Sequence, residues 1–339
     1  MEKKTEETIS GEFSGNLPVQ TENPAFAPDE MLGCGKCGRT NPPTRSKCLY
    51  CGAALSVSDE QGKFFKPNLR RLEIWEKGFN LILSSNSEKI EESKLAEISS
   101  MLKLENEVLR EILASGESLP LARIETGKEA EIVQKRLGES GVETIILPDE
   151  NLNLNKPPRR LRAMDFWEDR LILILFNSDE IAEIEWEDVC LIVTGAIFER
   201  KVEATETRSK KGENKLLETN ETASDESLFD IYSKEDRIGY RIAQNGFDFS
   251  CLGARKSLLA VENIKKLAAE LSNRAPEAET IENYLQVRPL LGNVWQVEER
   301  IDSQGLKRQS FGSFNLGNVT TVNNSAQFTK YSRLQRHLK

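Results

Sequence analysis

Histidine is nearly absent: His337 is the only one in 339 residues. A Ser-His-Asp or Cys-His catalytic arrangement therefore has little to work with, and no open zinc site of the histidine type can be assembled. Long apolar runs are missing too. The longest, Leu171–Phe176 and Val189–Val193, fall far short of the ~20 residues that span a bilayer. Glycine (21) and proline (12) are too few for a collagen-like or Pro/Gly-rich chain. The Gly127-Lys128 pair has Ala122 where a phosphate loop needs glycine and Glu129 where it needs Ser or Thr. The opening Met1-Glu-Lys-Lys-Thr-Glu-Glu has no apolar stretch behind it, so a secretory signal is not expected and a cytoplasmic location is. With 55 carboxylates scattered and none singled out, the expectation is a protein without catalysis.

At ~100–200 residues per domain, a length of 339 supports two or three folded units, and 38% hydrophobic residues are too many for wholesale disorder. Charge is unevenly distributed. Residues 1–30 carry a net of −5, residues 31–71 a net of +6 and residues 303–339 again +6, whereas the whole chain is at −9. Basic ends on an acidic body fit local contact with a polyanion, or ends that fold back on the chain's own middle.

Four of the six cysteines lie within eighteen residues, as Cys34-Gly-Lys-Cys37-Gly and Cys48-Leu-Tyr-Cys51-Gly. Two Cys-x-x-Cys pairs separated by a short loop offer four sulfurs to one tetrahedral ion. Gly38 and Gly52 permit the turn after each pair, and Asn41-Pro-Pro43 stiffens the loop between them. The stretch resembles a short zinc ribbon with the knuckles of the rubredoxin-like family. That resemblance implies one structural Zn2+ on Cys34, Cys37, Cys48 and Cys51. An iron centre uses the same ligands and implies electron transfer, and two disulfides require an oxidising compartment.

Lys36, Arg39, Arg45 and Lys47 flank the cysteines, with Lys63, Lys66, Arg70 and Arg71 beyond and Tyr50, Phe64 and Phe65 among them. Cations can neutralise a four-thiolate site of formal charge −2. Interleaved with aromatics they also suit single-stranded nucleic acid. The expected function is an interaction or regulatory protein, with the ribbon as a docking module for a protein partner on an acidic body. The alternative is a nucleic-acid-binding protein that contacts phosphates through these eight residues.

The expected fold is α+β and multi-domain: an N-terminal zinc ribbon, a small α/β unit, and a strand-rich domain closed by a C-terminal helix. Residues 1–30 read as a disordered acidic tail and 31–56 as the ribbon. Residues 72–155 read as a small α+β domain. There, strands cover Leu72–Leu83, Leu119–Ile124 and Val142–Leu147, and an amphipathic helix covers Lys94–Leu113 with a break near Leu104. A capping box at Thr126–Glu129 opens a helix that buries Ala130, Val133 and Leu137.

Residues 159–273 read as a strand-rich domain with a long mobile loop at 205–226. Its strands include Tyr240–Ala243 and Phe247–Cys251, joined at Asn245-Gly246. A closing helix, Ser257–Leu271, presents Leu258, Val261, Ile264, Leu267, Ala268 and Leu271. By element order alone this region is similar to a pleckstrin-homology-like barrel, which implies a docking module without chemistry. Residues 283–339 read as a hairpin about Ser303–Gly305 followed by a basic helix capped by Asn324 and Gln327. That helix carries Phe328, Tyr331, Leu334 and Leu338 on one face, and against so acidic a body it is expected to dock on its own chain or a second subunit, with a partner protein, a lipid surface or nucleic acid as the alternatives. Cys190 and Cys251 read as buried thiols, and Trp75, Trp167, Trp186 and Trp295 as packing residues.

Overall fold

The computed structural model describes residues 26–45, 47–55, 69–73, 75–84, 90–176, 178, 180–206, 216–296, 299–310 and 313–339. The chain divides into two compact units, Met1–Lys66 and Pro67–Lys339. It is of mixed α+β class, as the sequence implies. No helix among the described residues is long and apolar enough to cross a membrane.

The first unit contains a short hairpin, β1 (Leu32–Gly33) against β2 (Thr40–Asn41). The second unit begins with a three-stranded antiparallel sheet. Its central strand β3 (Phe79–Leu83) lies between β4 (Pro120–Ile124) and β5 (Thr144–Pro148). Residues 72–78, expected to belong to the first strand, precede it. The long amphipathic pattern is two helices, α1 (Glu92–Leu102) and α2 (Asn106–Ala114). They part at Lys103, whose φ of 56° ends the first helix in the left-handed conformation. In α3 (Gly127–Glu139) the Thr126 hydroxyl accepts the Glu129 N–H, and Ala130, Val133 and Leu137 are fully buried.

The second sheet is larger. It comprises β6 (Arg159–Phe166), β7 (Arg170–Leu175), β8 (Ile181–Glu185), β9 (Val189–Glu206), β10 (Leu216–Ser233) and β11 (Tyr240–Ala243). To these it adds β12 (Glu279–Ile281), β13 (Glu299–Ser310) and β14 (Ser313–Asn323). The hydrogen-bonded order is β13-β14-β9-β10-β11-β6-β7-β8, and β12 pairs with β9 as well. Three helices complete the unit: α4 (Ala260–Arg274), α5 (Tyr284–Leu291) and α6 (Ser325–His337).

Alternation along β9 and β10 builds two cores, one on each face of this sheet. Leu191, Val193, Leu228 and Tyr232 join α1–α3, the small sheet, α5 and α6. Ile192, Phe229 and Ile231 face β6–β8 and the Ile264, Leu267 and Leu271 stripe of α4. Pro157-Pro158 thus marks a change of sheet rather than a break in the core, because Val133 and Leu152 share one apolar cluster with Tyr232 and Phe328. Buried polar groups tie the small sheet to the segment that follows α5. Trp295 Nε1 donates to Asn80 Oδ1 at 2.9 Å, and Asn80 Nδ2 donates to Asp149 Oδ1 at 2.8 Å.

The basic helix α6 packs on its own unit, as expected. Phe328, Tyr331 and Leu334 are fully buried, and Arg333, 2% exposed, donates to the carbonyls of Leu152 (3.0 Å), Asn153 and Lys156. Arg336 donates to the carbonyls of Asp236, Ser233 and Lys234. For Arg333 and Arg336 the anchors are peptide oxygens, while Lys339, just past the helix, pairs with Glu279.

Several expectations are corrected. Residues 205–206 and 216–226 are not a mobile loop but the ends of β9 and β10, paired from Glu206 opposite Leu216 down to Ile197 opposite Glu226. From Thr219 to Glu226 the sequence has one apolar residue, Ala223, so the apolar alternation that marks a strand is missing there. Residues 207–215 of that expected loop lie outside the described residues. Phe247–Cys251 is no strand: Gly246 turns the chain at φ +82°, and Asp248 caps a 3-10 segment, Phe249–Arg255. Ser303–Gly305 sits in mid-strand, with Gly305 opposite Gly317, because the pairing of β13 with β14 runs on to Ser310 opposite Ser313.

Asn324 and Gln327 do not form a capping box. Asn324 Oδ1 accepts the Phe198 N–H at 2.7 Å, and Gln327 Oε1 accepts the Tyr284 hydroxyl at 3.1 Å. The helix α4 begins only at Ala260, which leaves Leu258 fully exposed ahead of it and Val261 39% exposed off its inner face. Trp186 and Trp295 are buried, whereas Trp75 and Trp167 are exposed. Cys190 and Cys251 are half-buried, and burial pushes the Cys251 thiol up to about 11. Of the expected acidic tail only residues 26–30 are described.

Candidate metal centre

The two Cys-x-x-Cys segments fold into near-identical knuckles. In the first, the Cys34 N–H donates to the Arg39 carbonyl at 2.9 Å and the Gly38 N–H to the Cys34 carbonyl at 2.8 Å. In the second, the Cys48 N–H donates to the Ala53 carbonyl at 2.8 Å and the Gly52 N–H to the Cys48 carbonyl at 3.0 Å. Gly38 and Gly52 both take φ +69°, a conformation that penalises any side chain, so the glycine that follows each pair is what lets the turn close. Leu32 and Leu55, 3% and 4% exposed, supply the apolar support of this small unit.

The knuckles bring all four sulfurs together. The metal-ligating atoms of Cys34, Cys37, Cys48 and Cys51 lie within 4.8 Å of one another. Cys34 Sγ is 3.6 Å from Cys51 Sγ, and Cys37 Sγ is 3.5 Å from Cys48 Sγ. Sulfurs at ~2.3 Å from a central ion in a tetrahedron stand about 3.7 Å apart. The separations fit that geometry and exceed the ~2.05 Å of a disulfide bond, and the four cysteines are free thiols. The cluster could hold a metal ion such as zinc.

Electrostatics favour the same conclusion. Burial pushes the Cys48 thiol up, but N–H groups of Tyr50 and Cys51 and the Asn41 amide outweigh it and bring the thiol down to about 6. The Cys37 N–H is foremost in holding Cys34 low as well. Cys37 goes the other way: the Arg39 N–H favours its thiolate, yet burial and proton sharing with Cys48, Cys51 and Cys34 push it up to about 12. Four thiolates at these distances repel one another, and a central cation is what allows all four to ionise.

Asn41 is the residue that sequence reasoning undervalued. The sequence shows it only as the start of a stiff Asn-Pro-Pro loop, but its side chain is 0% exposed and makes three contacts. Its Oδ1 accepts the Leu49 N–H at 2.8 Å, and its Nδ2 donates to the Arg39 carbonyl at 3.0 Å and reaches Cys48 Sγ at 3.5 Å. Nothing in the Cys-x-x-Cys spacing points to it, and an asparagine just ahead of Pro-Pro is the one signal available.

The basic residues do not form a single set. Lys36, Arg39 and Arg45 are exposed beside the knuckles, and Lys47 is half-buried within the Lys47–Ala54 bridge. Lys63, Lys66, Phe64 and Phe65 lie outside the described residues. Arg70 and Arg71 belong to the second unit. There Arg70 holds Glu76 with both terminal nitrogens at 2.8 and 2.6 Å, and Glu125 at 3.3 Å. Hydrogen bonding to Glu76 and then Glu125 raises the Arg70 guanidinium, and the pairing brings Glu76 down to about 2. Arg70 is therefore occupied by its own carboxylates rather than presented to a phosphate.

Compared with known proteins, the chain matches no family model, no curated protein and no solved structure. The likeness of residues 159–273 to a pleckstrin-homology-like barrel accordingly rests on element order alone.

Proposed function

We propose that this is a non-enzymatic interaction protein whose N-terminal unit is a zinc ribbon that docks a partner protein, with the acidic second unit setting partner choice. One observation carries the reading. Leu49 and Tyr50 are 50% and 56% exposed at the tip of the second knuckle, and the Arg39 guanidinium lies over the Tyr50 ring at 4.6 Å. Four thiolates complete the coordination of zinc and leave no position for substrate, so the ion is structural. Zinc suits an all-thiolate tetrahedron without redox chemistry, and free thiols suit a reducing, cytoplasmic setting. A small metal-held unit that leaves a tyrosine and an arginine outside, beside an exposed leucine, has in the first two the residue types of an interface anchor.

A second reading is favoured by the same stack. Arg39 on Tyr50, with Lys36 and Arg45 nearby, is also a platform for an unpaired base and its phosphate. The two readings part in one experiment. The protein and its Leu49→Ala/Tyr50→Ala variant, both shown to hold one zinc, are used to capture partners from a lysate of its own cells, with and without nuclease. Protein partners that survive nuclease and are lost with the double substitution support docking. Partners lost to nuclease, with affinity falling steeply in salt, support nucleic acid. A set unchanged by the double substitution removes the ribbon tip from both.

A further inference from the structure

In the second unit a cavity of about 370 Å³ opens between the end of α6, the start of β9 and the segment after β10. It is lined by Cys190, Lys234, Arg237, Arg336, His337 and Lys339, with no Asp or Glu among them. In a chain of net charge −9 this is a local reversal of sign. The four cations differ in what they already hold. Lys234 stands 3.8 Å from Asp188, and Lys339 Nζ reaches Glu279. Arg336 spends Nε and Nη2 on peptide oxygens, while its Nη1 has no partner among the described residues and is not buried. Arg237 is exposed, with no hydrogen bond or ion pair among those residues. Two guanidinium charges therefore meet at the cavity without a carboxylate, since the terminal carboxylate of Lys339 pairs with neither. Their field is felt at His337: partial burial, and then Arg237, push its imidazole below its ordinary 6.5.

We infer that this cavity binds the phosphate group of a small, soluble phosphate monoester. Charge selects the group. At neutral pH a phosphate monoester is close to a dianion, which matches the two uncompensated guanidiniums, and its oxygens accept their N–H bonds. A carboxylate brings half that charge. The lining selects the rest of the molecule. It has no aliphatic or aromatic wall to hold an acyl chain or stack a base, so the ester is small and polar. The Cys190 thiol donates to the Tyr232 carbonyl at 3.4 Å, and burial pushes it up, so it stays neutral and does not compete for the cations. The site lies wholly within the second unit and does not depend on the ribbon reading.

The test uses the full zinc-loaded chain with isotope-labelled histidine, so that one imidazole resonance reports on the cavity. Glycerol phosphate is titrated at constant ionic strength and about pH 7.5, where it is a dianion. A saturable shift of the His337 resonance is expected, together with a rise in its midpoint as the bound anion offsets Arg237. Acetate at equal ionic strength should give no saturable shift. Arg237→Gln changes an exposed side chain and should weaken binding about fivefold, the worth of one partly exposed charge pair. Lys265→Gln removes an equal charge from the exposed face of α4, outside the cavity, and should leave binding unchanged. A shift that does not saturate, equal binding of acetate, or an affinity that the two substitutions lower alike overturns the proposal. So does Arg237-dependent recruitment to phosphatidate-containing vesicles without binding of glycerol phosphate, an outcome that assigns the cavity to a lipid headgroup.

Discussion

Asn41 clamps Leu49: a fully buried amide oxygen in the loop between the knuckles accepts the N–H of the second knuckle's tip at 2.8 Å. The same side chain reaches Cys48 Sγ, so it fixes one sulfur ligand and the distance between the two halves of the site. Outer partners of metal ligands typically contribute 10- to 100-fold in affinity. Asn41→Ala should therefore lower zinc affinity by about that factor, read by competition with a chromophoric chelator. An affinity within about twofold of the parent would show that the knuckles hold themselves.

Metal removal should act on one unit only. Neither apolar core of the second unit contains any residue before Leu69. Excess chelator is expected to collapse the dispersion of amide signals from residues 26–55 in a heteronuclear NMR spectrum and to leave those of residues 90–176 in place. Loss of both sets together would mean that the second unit draws stability from the metal.

Gly195 is where β9 admits the C-terminal helix. A Cβ there would lie 2.3 Å from the Phe328 ring, and Phe328 is fully buried. Gly195→Ala should cost about 1–3 kcal/mol by overpacking, measured as a lowered urea midpoint with unchanged slope. Adding Phe328→Leu should return part of that loss. A double variant weaker than the sum of the two single changes would place the cost elsewhere.

His337 provides a pH probe with no competing signal, as the chain has one histidine. Its partial burial, and after that the Arg237 guanidinium, push the imidazole below its ordinary 6.5. The folded protein then binds fewer protons than the unfolded chain between pH 6.5 and the lower folded midpoint. Stability from this group is fully present above 6.5 and falls as pH drops through that window. The imidazole proton resonance should titrate below 6.5, and Arg237→Ala should raise its midpoint. A midpoint at or above 6.5 contradicts the assigned environment.

How much could be read from the sequence depended on how local each signal was. Ligand spacing, the break between α1 and α2 and the Thr126 cap are settled by residues a few places apart, and all three are seen in the structure. Asn324 and Gln327 carry the same short-range pattern as a capping box. Their side chains are taken by partners 126 and 43 residues away, which no local pattern foretells. The outer part of β10 escapes for another reason: with Ala223 as the one apolar residue between Thr219 and Glu226, it carries no period-two hydrophobic signal. At the cysteine cluster the four thiols are legible and the clamp is not, because Asn41 meets Cys48 only once both knuckles have formed.

The position of α6 has a consequence for synthesis. Ser332 meets the Tyr232 hydroxyl 100 residues away in the chain, and Phe328 fills the space above Gly195. At roughly 5–20 residues per second, the apolar faces of β9 and β10 leave the ribosome about 5–20 s before the helix that covers them. During that interval Leu191, Val193, Leu228 and Tyr232 lack their cover, beside two of the longest strands in the molecule. The nascent chain is thus most open to aggregation, and most in need of a chaperone, between the completion of β10 and the emergence of Leu334.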